Sequence, residues 1–184
     1  MHAEPLSDDL CRAETVAILL IRVAGQSLAI RQTNIAEILP LPQLTRVPEA
    51  PPILRGAFHL GPELVLVLPM ADLLGLTGPV EGTALYHHLV LIPWREARTR
   101  IAFLVDRVVE ITQAQSRLIP STASFNHCVE GDLRYEGALV PLIALPRLLA
   151  AQEEARLAAF AARARLREAA FASEAGDGTR DDVP

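Results

Sequence analysis

A pattern that occurs twice constrains this chain more than any single residue in it. Ile101 to Val105 is a continuous apolar run, short and rich in the branched and aromatic side chains that favour strands, so it reads as a strand buried on both faces. Asp106 breaks the run, and a short carboxylate at a strand end can accept a hydrogen bond from a backbone N–H two residues on and turn the chain. Val108, Val109 and Ile111 then surround Glu110, one acid among apolar neighbours. Upstream the same order appears: Leu28-Ala29-Ile30, a polar break from Arg31 to Asn34, then Ile35-Ala36-Glu37-Ile38. Glu37-Ile38 corresponds to Glu110-Ile111, Val47-Pro48 to Ile119-Pro120, Gly56 to Gly131 and Leu73-Leu74 to Leu148-Leu149, all at nearly one offset. The spacing predicts two related halves, each a small β unit, joined in the Gly, Thr and Pro-rich stretch near residues 75–83.

A length of 184 residues with 51% hydrophobic content suffices for one compact domain or two small barrels sharing a core, and aromatics at 4% leave that core to Leu, Val, Ile and Ala. A net charge of −5 argues against a nucleic-acid partner, which needs a basic stripe. Cys11 and Cys128 form neither a CxxC pair nor a metal-ligand spacing, so thiols in a reducing compartment are expected. Glu4, Asp8 and Asp9 stand where a secretion signal needs positive charge and then an apolar core. The longest apolar stretch, Leu64 to Leu76, is interrupted by Pro69 and Asp72 and falls short of a membrane span. The expectation is a cytoplasmic protein with no membrane insertion.

Along the chain, residues 1–15 are polar and aperiodic, an expected flexible arm. Val16 to Val23 reads as a strand, and Ala24-Gly25-Gln26 as a hairpin-like turn into Ser27 to Ile30. Thr33 to Leu39 fits either a short helix or a continued strand. Pro40 to Pro52 holds prolines at 40, 42, 48, 51 and 52. Proline removes ladder donors and disfavours helix at the preceding residue, so this segment is expected as an extended surface connection, closed by Gly56. Leu64 to Leu68 and Leu85 to Trp94 read as strands, Pro69 to Leu74 as a turn with room for a short helix, and Arg95 to Arg100 as a charged hairpin turn. Gln113 to His127 reads as a polar loop, and Gly137 to Leu145 as the last strand, with Pro141 marking an edge or a bulge. Residues 151–172 are rich in Ala, Arg and Glu, with Leu157, Phe160, Ala164 and Phe171 at helical spacing; they predict a long C-terminal helix whose narrow stripe docks on a barrel or a partner. Residues 173–184 are expected to be a disordered tail.

No catalytic set is visible. Adjacent His87 and His88 would point to opposite faces of a strand, and His2, His59 and His127 add no zinc-ligand spacing, so neither a metal nor a cofactor is expected. Asp72 and Asp106 each sit where a strand meets a turn, which suits local capping. There is no GxSxG, phosphate loop or dinucleotide fingerprint. Glu37 and Glu110 either turn to water at an element edge or orient a partner on an apolar patch.

The order strand, turn, Ile35-Ala-Glu-Ile38, Thr45-Arg46-Val47-Pro48, Pro51, Gly56, Pro69, Asp72-Leu73, then Ala102-Phe-Leu-Val-Asp-Arg-Val108 and Ile119-Pro120 resembles CheW, the coupling protein family of bacterial chemosensory arrays. The resemblance covers Ala17 to Leu149. It implies a mainly β fold of two small SH3-like five-stranded β-barrels over residues 16–150, packed around a shared apolar seam. It also implies a non-enzymatic adaptor. Such proteins bind the regulatory domain of a CheA-type histidine kinase, and bind the cytoplasmic tip of methyl-accepting chemoreceptors in a groove between the barrels. Carried over position by position, Ile35, Glu37, Ile38, Arg46, Gly56 and His59 fall among the receptor contacts, and Val105, Asp106, Arg107 and Val108 lie where a kinase contact is expected. The chain departs from the family after the glycine, where Asn-Leu-Arg-Gly is usual and His59-Leu60-Gly61-Pro62 stands here, so the arginine is gone. That departure and the C-terminal helix suggest a divergent system, such as pilus motility or surface sensing. The alternative is an orphan CheW-like module that binds one partner only, and an enzyme on a barrel scaffold is not excluded by fold alone.

Overall fold

Side chains alternate along a strand, so a continuous apolar run means that both faces are buried. β1 (Ala13–Val23) sends Val16, Ile18 and Leu20 into one core cluster and Leu19, Ile21 and Val23 into another. β5 (Glu63–Pro69) does the same with Val65 and Val67 against Leu64, Leu66 and Leu68. The computed structural model describes residues 13–79, 86–93, 99–118, 128–149 and 151–177. Its other strands are β2 (Gln26–Arg31), β3 (Glu37–Pro40), β4 (Gly56–Leu60), β6 (His88–Ile92), β7 (Thr99–Val105), β8 (Arg107–Leu118), β9 (Val129–Tyr135) and β10 (Ala138–Ile143), with helices α1 (Met70–Leu74) and α2 (Ala151–Asp177).

The fold is mainly β and holds two five-stranded sheets. One is a closed barrel in the order β1-β2-β10-β9-β8, and the other runs β3-β6-β7-β5-β4. Each encloses its own apolar cluster, and a larger seam cluster between them takes side chains from both sheets and from α2, where Leu157 and Ala161 are buried. The two sheets do not coincide with the two halves of the chain. Each half gives two strands to one sheet and three to the other, so the sequence repeat is interleaved in space. Tight hairpins such as β1–β2 and β4–β5 are written locally, but their placement beside distant strands is not, which is why the halves alone suggest separate units.

Replacing each strand of the open sheet by the one five positions away in the chain gives β8-β1-β2-β10-β9, which is the closed barrel cut between β8 and β9. The parallel pairs correspond too, β2 with β10 and β5 with β7. In the barrel the cut is closed by a ladder that pairs Ser116 with Leu133, Arg117 with Asp132 and Leu118 with Gly131. In the open sheet it is spanned by an isolated bridge, Thr45 to Ala57, whose two backbone bonds are 2.8 and 2.9 Å. β3 stops at Pro40, and the prolines that follow cannot donate to a ladder.

Several expectations shift. β1 begins at Ala13, so Ala13 to Thr15 pair with β8 rather than forming part of an arm. Thr33 to Leu39 is both alternatives in succession, a 3-10 turn over Gln32–Asn34 and then β3. Gln113 to Leu118 continues β8 instead of opening a loop: Gln113, Gln115 and Arg117 face water while Ala114 and Ser116 turn inward, a period of two obscured because the inward Ser116 is as polar as its outward neighbours. Pro141 is not on an edge, since β10 lies between β2 and β9, and a register shift falls at Leu142 and Ile143. α2 continues past Ala172 to Asp177. Thr99 and Arg100, expected in a turn, open β7. Residues 95–98 of that turn, residues 80–83 of the expected join, the Ile119-Pro120 landmark and the last residues of the tail lie outside the described residues.

Candidate functional site

Where the barrel is cut open, the proline segment passes over β4. Gly56 is at that crossing. A Cβ there would stand 3.0 Å from both Leu44 Cβ and the Thr45 carbonyl oxygen, so any larger residue makes its neighbours give by a few tenths of an ångström, which favours glycine. Its counterpart Gly131 is tighter, with a Cβ 2.7 Å from the Arg117 carbonyl oxygen. This close passage of the closing strand is the physical reason for the matched glycines in the two halves.

Two hollows flank the crossing. The smaller, of about 300 Å³, brings Arg46, Arg55, Gly56 and Asp72 together. The larger, of about 570 Å³, lies between the proline segment, β4 with the start of β5, and α2; Arg46 and His59 line it, with Val47, Phe58, Leu64 and Phe160 as apolar wall. Of the expected receptor positions, the fold therefore groups Arg46, Gly56 and His59. Ile35 and Ile38 line neither hollow and are half-buried against the seam core.

Glu37 is placed differently. β3, β5 and β7 all begin at one end of the open sheet, because β5 and β7 are parallel and β3 and β7 are both antiparallel to β6. Arg100 at the start of β7 holds Glu37 at 3.0 Å and Glu63 at 2.7 Å, so one guanidinium carries two carboxylates across the mouth of the sheet. Glu110, the counterpart of Glu37, accepts a hydrogen bond from the Tyr135 phenol instead. That bond, desolvation and the charges of Glu110 and Glu136 push the Tyr135 pKa up to about 12.

The expected kinase positions divide by burial. Val105 lies in the seam core. Asp106 is buried too, and its Oδ2 accepts the Ala24 backbone N–H at 2.7 Å. This carboxylate does not cap its own turn, as a local reading has it; it fixes the β1–β2 turn, where Ala24 holds a left-handed φ of 48°. Arg107 is exposed and Val108 half-buried, so these two reach the surface, followed on β8 by the exposed side chains of Val109 and Ile111.

Sequence reasoning missed Arg163, Ala164 and Arg167, which face the larger hollow from α2. The signal was present, since Phe160, Ala164 and Arg167 lie three or four residues apart, on one helix face. Among the described residues no group of His, Cys, Asp and Glu could hold a metal, and no helix is long and apolar enough to cross a membrane.

Residues 17–153 match the family model described as the CheW-like domain. Among solved structures, the chain is similar to the scaffolding protein TtCheW from Thermoanaerobacter tengcongensis, with 14% identity, a TM-score of 0.62, and coverage of 80% of this chain and 94% of that one. No curated protein matches the chain.

Proposed function

This chain belongs to the CheW-like domain family, and on that premise we propose that it is a non-enzymatic adaptor that couples chemoreceptors to a CheA-type histidine kinase in the cytoplasm. The observation that carries the reading is the opened sheet. Arrest of β3 by proline leaves a hollow beside the bridge between Thr45 and Ala57, and Arg46 and Gly56, two of the positions expected to contact a receptor, meet there. A helical receptor tip would lie along this surface, with Arg46 and Arg55 facing its acidic side chains. The kinase would meet the exposed part of β8 at Arg107, Val109 and Ile111, where two apolar side chains stand among the charges of Arg107 and Glu110.

The test is paired capture of the kinase and of a receptor-tip hairpin encoded with this chain. Arg46→Glu should weaken receptor capture and spare the kinase, and Ile111→Glu should do the reverse. Glu37→Lys is expected to act on the fold of the sheet mouth through Arg100 as well as on the receptor.

The orphan-module reading is favoured by one feature. Gly61, at a φ of 59°, forms the β4–β5 turn where the family carries arginine, and a Cβ added there would meet nothing within 4 Å. Capture of one partner alone would support that reading.

A further inference from the structure

Beyond Arg46 and His59, the larger hollow has a character that receptor coupling does not account for. Its interior is apolar, with Val47, Phe58, Leu64 and Phe160, and arginines 46, 163 and 167 line it as well. Glu49, held at a left-handed φ of 60°, reaches Arg167 at 3.0 Å and neutralises it. Among the described residues Arg46 and Arg163 have no ion-pair partner, so an acidic chain of net charge −5 concentrates two uncompensated guanidiniums at one apolar cavity.

The counterpart hollow on the closed barrel, of about 670 Å³, makes the contrast. It is lined by Asp132 and Glu136 as well as Arg117 and Arg134, and no helix lines it. Of these two hollows, the one on the open sheet has both the excess positive charge and the helical wall.

We infer that the cavity under α2 binds a small amphiphilic carboxylate, its apolar body against Phe58, Leu64 and Phe160 and its carboxylate between Arg46 and Arg163. A volume of about 570 Å³ lies in the range of small-molecule sites, about 300–1,000 Å³. Guanidinium is the side chain best matched to a carboxylate, because its planar fork donates two parallel bonds. Bound there, the ligand ties α2 to the proline segment beside Gly56. The inference shares Arg46 with the proposed receptor surface, but Phe160 and Arg163 take no part in that surface, so a change at Arg163 separates the two readings.

The experiment is a fluorescence titration of the full chain with anilinonaphthalene sulfonate as probe and dodecanoate as competitor. The expected result is one saturable probe site, displacement by dodecanoate and none by dodecyltrimethylammonium. Arg163→Glu should weaken dodecanoate binding by about tenfold or more, since it reverses one of two charges on the carboxylate. Arg134→Glu, in the counterpart hollow, should leave the affinity unchanged. A thermal scan gives a second reading: dodecanoate should raise the melting temperature of the parent chain and not that of Arg163→Glu. Displacement by both head groups alike, several equivalent sites, or no effect of Arg163→Glu would overturn the inference, as would binding of an acidic receptor peptide with none of dodecanoate. Arg163→Glu should still capture the kinase and the receptor tip. Lost capture with intact dodecanoate binding would count against both this assignment and the proposed receptor surface, whereas lost dodecanoate binding with intact capture is the result expected here.

Discussion

The closed barrel and the open sheet are built from corresponding strands, yet one completes its circle and the other does not. β8 is a strand from Arg107 to Leu118 and closes on β9, whereas β3 ends at Pro40 and leaves the single bridge from Thr45 to Ala57. The two outer faces differ as well. Ala57 and Leu64 of the open sheet correspond to Asp132 and Leu139 of the barrel. Leu64 is 6% exposed, beside Phe160 and Ala164 of α2, and Leu139 is 68% exposed in a hollow shared with Asp132. One face presents apolar residues to a helix, and the other presents a carboxylate and faces water. The interrupted strand and the helix-covered face thus occur on the same sheet.

The largest effect should come from removing the helix that only one sheet uses. Ending the chain at Leu149 takes Leu157 and Ala161 out of the seam core, so this truncation should unfold at far lower urea than the full chain, with Leu157→Ala alone costing about 2–5 kcal/mol. A truncated chain as stable as the parent would mean that α2 is an appendage.

Next comes the matched pair of leucines. Leu64→Ala should cost about 2–5 kcal/mol in chemical denaturation, against a change within about 0.5 kcal/mol for Leu139→Ala. Equal costs would remove the distinction between a covered and an open face.

The two glycines sharpen the comparison at the point of closure. Gly131→Ala must push apart a hydrogen-bonded ladder, at about 1–3 kcal/mol. Gly56→Ala presses on an isolated bridge that has more room to yield, so its thermal shift should be smaller.

The smallest effect is a titration. The Tyr135 phenol ionises from a pKa raised from 10.0 to about 12 by the bond to Glu110, so its neutral form is the one the fold favours. That contribution is fully present below pH 10 and is lost as pH rises through about 12. Ultraviolet titration should show a late phenolate step that Tyr135→Phe abolishes; an unchanged late step would assign it elsewhere.

Much of this architecture was legible in the residues. The doubled pattern gave the correspondence of Gly56 with Gly131, and the unbroken runs at Leu64 to Leu68 and Ile101 to Val105 marked strands with two buried faces. Interleaving of the halves was not legible, because long-range pairing leaves no local mark. Asp106 misled a local reading because its partner, Ala24, is distant in sequence. Glu37 looked like a lone acid because Arg100 meets it through the pairing of three strands. Of the residues lining the two hollows, Arg46, Gly56 and His59 were already candidates from the family motif, and the lining from α2 was not, because a sparse stripe does not say where it docks.

Amide hydrogen exchange, with and without a receptor-tip hairpin, tests the central claim most directly. Exchange through local opening is fast where few bonds hold a segment. The Thr45 and Ala57 amides should exchange far faster than those of the β8–β9 ladder at Ser116 to Leu118, and the hairpin should slow Thr45 and Ala57 while leaving the ladder unchanged. Equal protection at the bridge and the ladder in the free chain, or slowing by the hairpin at the ladder instead, would contradict the claim that proline opens one of two equivalent sheets to receive a partner.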